Sequence, residues 1–242
     1  MQIAILTTET PHHAFFVREL KAVYGNVVVL CETKTSIKTS FPTHHAFEDE
    51  RDRYEWQFWF GGIPTKISEI APTHLFDSIN SNVAVKALVD IHADVIIVFG
   101  TGVLKASVIS VKPQRIFNLH GGDPETYRGL DTHLWAIYHR DFNGLVTTLH
   151  CLDAALDNGD IVVQAKIPIM QGMPIFALRR ANTEICVALS MAAIDMINRR
   201  GSVVSRPQRR KGRYYSSMPT EIKDICKKRF ESYTARLDND SR

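Results

Sequence analysis

The chain has only four cysteines in 242 residues, Cys31, Cys151, Cys186 and Cys226, with no CxxC pair among them. That scatter excludes a disulfide-stapled scaffold and shows no metal-ligand spacing, which leaves the reduced thiols of a cytosolic protein as the simple reading. Long apolar runs are missing too. None approaches the roughly 20 residues that span a bilayer, and the opening MQIAILTTET turns polar too soon for a secretory signal. There is no internal repeat and no low-complexity tract. The net charge is only +3, a mild bias that does not point to nucleic acid. These absences predict a cytoplasmic protein with neither a membrane nor a nucleic-acid partner, and a charge compatible with anionic small molecules.

What remains is ordinary globular material, 45% hydrophobic and 23% charged, enough for one sizeable core. The first half alternates strand-like and helix-like runs. Gln2 to Thr7 reads as a buried strand. Thr10-Pro11 supplies an N-cap and a first-turn proline, Phe15, Phe16, Leu20 and Val23 follow at near-helical spacing, and Gly25 offers a stop. Val27 to Cys31, Asp94 to Phe99 and Arg115 to His120 are further strands. Asn80 is placed to cap a helix through about His92, with Val83, Val85, Leu88 and Val89 inward. This succession predicts right-handed βαβ units: an α/β, Rossmann-like, mostly parallel twisted sheet with flanking helices. Later strands are read at Leu145 to Cys151 and Ile161 to Ile169, then a helix over about 175–198. A basic stretch, SRPQRRKGRYYSS, and a terminal helix follow. The segment FEDERDRYEWQFWFGG keeps two readings open: a surface helix with an aromatic inner face, or an insert that stacks on a base or sugar.

The stretch from Phe117 to Gln164 carries the chemistry. Asn118 and His120 stand at i and i+2, so they share one face of a strand. They lie at its carboxyl end before Gly121-Gly122, the edge where open α/β sheets bind ligands. Asp157 sits in the loop after a later strand. A donor amide, an acid/base and a carboxylate can converge there. Residue spacing leaves open the alternative of a structural Asn-x-His and a turn-forming Asp before Asn-Gly.

These residues resemble the formyltransferase family that includes glycinamide ribonucleotide formyltransferase, methionyl-tRNA formyltransferase and the sugar N-formyltransferases. The resemblance rests on Asn118-Leu119-His120, Pro124, Tyr127-Arg128-Gly129, Gly144 with Thr147-Thr148-Leu149-His150, and Asp157-Asn158-Gly159-Asp160-Ile161, in that order. It covers roughly residues 1–205, taken as the catalytic domain, with 206–242 as a C-terminal extension. It implies catalytic roles for Asn118, His120 and Asp157 and a supporting one for His150. It also implies 10-formyltetrahydrofolate as co-substrate and no metal, with the pterin against Gly102, Val103, Leu104 and the loop Asp153, Ala154, Ala155, Leu156. Similar enzymes are commonly homodimers, but no interface is evident in the sequence.

His-Gly-Gly replaces the family's usual His-Pro-Ser at 120–122. The loop TTETPHHAF lacks the glycines with which glycinamide ribonucleotide formyltransferase binds a phosphate, and only about forty residues follow Gly201, against a whole second domain in methionyl-tRNA formyltransferase. The resemblance is therefore nearest to the sugar N-formyltransferases. It implies as acceptor a nucleotide-linked amino sugar of a lipopolysaccharide O-antigen or another surface glycan. Candidate acceptor contacts are His12, His13, Gly121, Gly122, Tyr127, Arg128, Thr132 and Trp135.

Overall fold

The computed structural model describes residues 1–34, 39–153 and 157–237. Its elements in chain order are β1 (Ile3–Thr8), α1 (Pro11–Tyr24), β2 (Val27–Glu32), α2 (Ala46–Phe60), α3 (Ile67–Ile70), β3 (Thr73–Phe76), α4 (Asn82–Asp90), β4 (Val95–Phe99), α5 (Ala106–Ile109), β5 (Ile116–His120), β6 (Tyr127–Gly129), α6 (Thr132–Tyr138), β7 (Val146–Cys151), β8 (Ile161–Lys166), α7 (Leu178–Arg200), β9 (Arg213–Tyr215) and α8 (Thr220–Thr234). None of the described helices is long and apolar enough to cross a membrane.

Seven strands form one sheet in the order β3-β2-β1-β4-β5-β7-β8. The first five are mutually parallel, and β7 and β8 close the edge antiparallel. The parallel strands β1 and β4 are continuous apolar runs because helices cover both their faces. The chain leaves β1 toward β2 and β3, then returns to place β4 on the other side of β1. That reversal opens a crevice at the carboxyl ends of β1 and β4.

The start of α1 follows its sequence signals. Thr10 Oγ1 accepts from the His13 N–H at 3.4 Å, Pro11 opens the first turn and Gly25 ends the helix at φ 70°. Val23, read as inward, is 60% exposed. In α4 the cap is Ser81, whose Oγ accepts from Ala84 N at 3.2 Å, and Asn80 is used elsewhere. The buried face is Ala84 and Leu88. Val83 and Val89 lie about 120° round the helix from the line between those two and are 71% and 47% exposed.

The aromatic segment is helix α2, and its rings mostly pack inward. Trp59 stacks on Phe15 at 4.1 Å, while Trp56 and Phe60 pack against the same core as the long helix α7. Phe58 stays 54% exposed beneath the Arg180 guanidinium. The tail is woven into the rest. β9 pairs in parallel with β6, Arg206 exchanges two backbone hydrogen bonds with Ile161, and α8 buries Cys226 and Phe230 in a second core that includes Ala136 and Ile137 of α6.

Candidate active site

A cleft of about 630 Å³ opens at the carboxyl ends of β4 and β5, lined among others by Asn118, His120, His150 and Asp157. Strands β5 and β7 bring the first three together: Asn118 pairs in register with His150, and His120 with Thr148.

Hydrogen bonds set the orientation of each group. His150 Nδ1–H donates to the Cys151 carbonyl at 2.8 Å, which leaves Nε2 as the nitrogen facing Asn118. Nε2 takes one N–H of Asn118 Nδ2 at 3.2 Å. That fixes which way the Asn118 amide faces and leaves its second N–H for a ligand. His120 Nε2–H donates to the Tyr127 carbonyl at 2.8 Å, which leaves Nδ1 facing Asp157 Oδ1 at 3.8 Å. That separation is too long for a direct hydrogen bond. Tyr127, and not Asp157, therefore orients His120. Asp157 Oδ2 accepts from the Gly129 N–H at 2.9 Å, and its Oδ1 lies 3.7 Å from His150 Nε2.

The electrostatics follow from burial. Desolvation lowers the His120 pKa below its ordinary value, against the opposing pull of Asp157, so the free site holds a neutral imidazole. Burial raises the Asp157 carboxyl, but His150, His120 and the Gly129 N–H outweigh it and hold the group at about 2.

The opposite wall is backbone. Gly102, Val103 and Leu104 line the cleft, and the side chains of Glu32 and Asn80 hold them from behind. Glu32 Oε2 accepts from Gly102 N at 2.9 Å while its Oε1 accepts from Ile79 N at 3.1 Å. Asn80 brackets the same turn, donating from Nδ2 to the Val103 carbonyl and accepting from Lys105 N at Oδ1. Gly100 has φ 82°, and a Cβ there would meet the His13 ring at 2.4 Å. Ala154, Ala155 and Leu156, expected at the folate, lie outside the described residues, and Asp153 lines the cleft.

The expected acceptor contacts divide. His12, Gly121 and Thr132 line the cleft. His13 is buried under Gly100, bonded through Nδ1 to Thr8. The Gly121-Gly122 turn serves packing against α6: a Cβ at Gly121 would meet His133 at 3.0 Å, and one at Gly122 would meet Thr132 at 3.1 Å. Tyr127 is buried and donates its hydroxyl to Asp141. Trp135 donates to the Ser216 carbonyl and lies against Tyr215. Arg128 is buried, its side chain has no hydrogen bond or ion pair among the described residues, and it does not line the cleft. Gly122, Tyr127, Trp135 and His13 likewise do not line it.

Sequence reading missed the third side of the cleft. Phe47, Glu48 and Arg51 of α2 and Arg179 of α7 line it. Arg179 holds the fully buried Glu55 through both carboxylate oxygens, and burial raises the Glu55 pKa in spite of that pairing. Capping gave a local signal here, since Glu48 accepts from His45 N in a capping box, but nothing in the pattern tied α2 to α7.

The chain belongs to the formyl transferase family, whose profile, described as "Formyl transferase", matches residues 21–184. Among sequence relatives it is similar to the methionyl-tRNA formyltransferase of Synechococcus sp. (strain CC9902), 28% identical over 125 residues that make up 51% of this chain and 36% of the relative. The alignment thus spans about a third of that curated relative's length. Among solved structures, a candidate sugar N-formyltransferase of Mycobacterium tuberculosis has a TM-score of 0.60 at 20% identity, covering 100% of this chain and 90% of its own. The formyltransferase PseJ of Anoxybacillus kamchatkensis, solved with UDP-4,6-dideoxy-4-formamido-L-AltNAc and tetrahydrofolate, has a TM-score of 0.51 at 18% identity, covering 88% and 85%. The fold is that of this family.

Proposed function

We propose that the protein transfers the formyl group of 10-formyltetrahydrofolate to the amine of a nucleotide-linked amino-deoxy sugar, in the cytoplasm, for a lipopolysaccharide O-antigen or another surface glycan. The observation that carries the transfer reaction is the convergence of Asn118, His120 and Asp157 in one cleft, with His120 neutral, Asp157 ionised and one Asn118 N–H uncommitted. The cleft volume lies in the range of small-molecule sites. Its backbone wall at Gly102 to Leu104 offers main-chain groups suited to a flat heterocycle such as a pterin.

10-Formyltetrahydrofolate supplies the electrophilic formyl carbon. As an uncharged amine attacks that carbon, negative charge grows on the former carbonyl oxygen, and the second N–H of Asn118 donates to it. The amine gives up a proton that the departing folate nitrogen needs. His120, neutral at the outset, takes it up at Nδ1 and passes it on. Asp157 keeps its charge beside that nitrogen and favours the imidazolium while it lasts. The 3.8 Å gap between the two is closed by the proton or by a water.

The acceptor assignment draws on fold neighbours, a candidate sugar N-formyltransferase and a formyltransferase solved with a UDP-linked formamido sugar. The basic run at 206–213, which an RNA acceptor would need free, is largely engaged: Arg206 pairs with Glu125, Arg210 donates to the Glu125 carbonyl and Thr126, and Arg213 lies over Tyr215. The test is to mix purified protein with 10-formyltetrahydrofolate and a panel of GDP-, dTDP- and UDP-linked amino sugars, and to follow acceptor mass. A gain of one formyl group on one member is the expected result. No gain with any sugar, and a gain on methionyl-tRNA instead, overturns the acceptor while leaving the transfer chemistry.

A further inference from the structure

Asp157 stands in the left-handed backbone region at φ 49°, a conformation costly for a residue with a Cβ and held only by its surroundings. The turn that carries it, Asp157 to Gly159, is squeezed from two sides. On one side a Cβ at Gly159 would lie 1.7 Å from the Cys151 carbonyl oxygen, so the turn is pressed flat against the end of β7. On the other side stands Gln208. Its Nε2 donates to the Asp157 carbonyl at 2.9 Å and to the Gly159 carbonyl at 2.9 Å. Two carbonyls can only accept, so the amide must face them with its NH2. Its Oε1 is turned inward, buried and without a partner among the described residues.

The short segment bearing Gln208 is itself fixed at both ends to the site. Arg206 pairs both its backbone groups with Ile161, just past the Asp157 turn. Its guanidinium takes both oxygens of Glu125 at 3.0 and 2.7 Å, and Arg210 donates to the Glu125 carbonyl. Glu125 belongs to the turn that leads into Tyr127, whose carbonyl orients His120. One short segment outside the matched family region thus spans the turn behind His120 and the turn behind Asp157.

We infer that Gln208 is a positioning residue for the transfer reaction: its amide clamps the Asp157–Gly159 backbone and so sets where the Asp157 carboxylate stands relative to His120 and the Gly129 N–H. This rests on the proposed role of Asp157. Without the clamp the turn loses two hydrogen bonds and the left-handed residue is free to relax. The carboxylate then swings away from His120 while the rest of the fold remains.

The test uses the full chain with Gln208→Glu and Gln208→Met. The first keeps the shape but faces two carbonyls with a carboxylate, and the second keeps the volume with no donor. Thermal melting checks that each variant is folded. The charged and titratable groups around His120 are Asp157, His150, Asp123 and His133. NMR titration of the His120 ring, assigned with His120→Gln, should show its pKa moving further down in Gln208→Met, which adds no charge, as the Asp157 charge recedes. With an acceptor in hand, kcat should fall about tenfold, the size expected for losing roughly one net hydrogen bond's worth of positioning, with little change in KM. A titration unmoved in folded Gln208→Met overturns the clamp, as does an unchanged kcat. Unfolding of both variants overturns it in favour of a purely structural role. Because the NMR arm needs no acceptor, the clamp is tested even if formyl transfer to every acceptor fails.

Discussion

Two walls of the cleft are built on opposite plans. One presents side chains: Asn118, His120 and Asp157, each oriented by a named partner. The other presents backbone: Gly102 to Leu104, held from behind by Glu32 and Asn80. The first wall can polarise and move protons. The second can recognise the edge of a flat ligand but has no ionisable group of its own. Chemistry and binding should therefore separate when the walls are broken one at a time.

The largest effect is expected on the side-chain wall. Asn118→Ala removes the proposed oxyanion donor and should lower kcat by about a hundred- to a thousandfold, with KM for the folate little changed. Steady-state kinetics with varied folate reads both. A change confined to KM would turn this wall into a binding surface. Glu32→Ala should do the reverse. It strands two N–H groups, those of Ile79 and Gly102, each worth about 1–3 kcal/mol when buried and unpaired. Urea denaturation should show the lost stability, and the KM for folate should rise while kcat holds. Gly100→Ala is a smaller probe of the same wall. It forces a positive φ on a residue with a Cβ and drives that atom into His13, for a loss of about 1–3 kcal/mol measured by the same denaturation.

Acidification separates the walls most finely. On the side-chain wall, the His120 pKa is lowered and Asp157 is held at about 2. The kcat/KM profile should therefore rise through an inflection below the ordinary histidine value of about 6.5 and stay flat above it. An inflection above 6.5 would mean that His120 is charged in the free enzyme. Under the backbone wall, burial and the nearby Arg179 hold His13 at about 3, in spite of its Thr8 hydrogen bond. Its folded pKa lies below its unfolded one, so the unfolded state binds more protons below pH about 6.5. Its contribution is complete above that pH. It is lost at about 1.4 kcal/mol per pH unit on the way down to 3. Melting curves between pH 7 and 4 should fall accordingly, and His13→Gln should flatten that slope.

The contrast between the walls also explains what could be read in advance. A wall of side chains needs particular residue types, so Asn118-x-His120 and Asp157-x-Gly159 stand out in the chain. A wall of backbone needs only a shape, and the groups that supply it come from far away. Glu32 lies 70 residues from Gly102 and Asn80 lies 23 from Val103, and even on the side-chain wall the Gln208 that holds Asp157 comes from 51 residues away. No periodicity links them. Local competition misled the reading where two residues suited one task. Asn80 and Ser81 both cap well, Ser81 took the helix, and Asn80 was released to hold the Val103 turn. Tyr127, Arg128 and Trp135 were plausible ligand contacts by type, but β6 pairs Tyr127 and Arg128 with β9, and Trp135 packs on Tyr215 and donates to the Ser216 carbonyl.

The amino-acid sequence by itself determined the buried runs of β1, β4 and β5, the crossovers that make the sheet largely parallel, and the identity of the three polar groups at its carboxyl edge. Those follow from side-chain chemistry and short-range geometry. Only the tertiary structure decided which nitrogen of His120 carries its proton, which face of the Asn118 amide remains free, and what keeps Asp157 in a strained turn. Each of those is settled by a carbonyl or N–H that arrives from another part of the chain, and a hydrogen bond is specific only once both partners are in place.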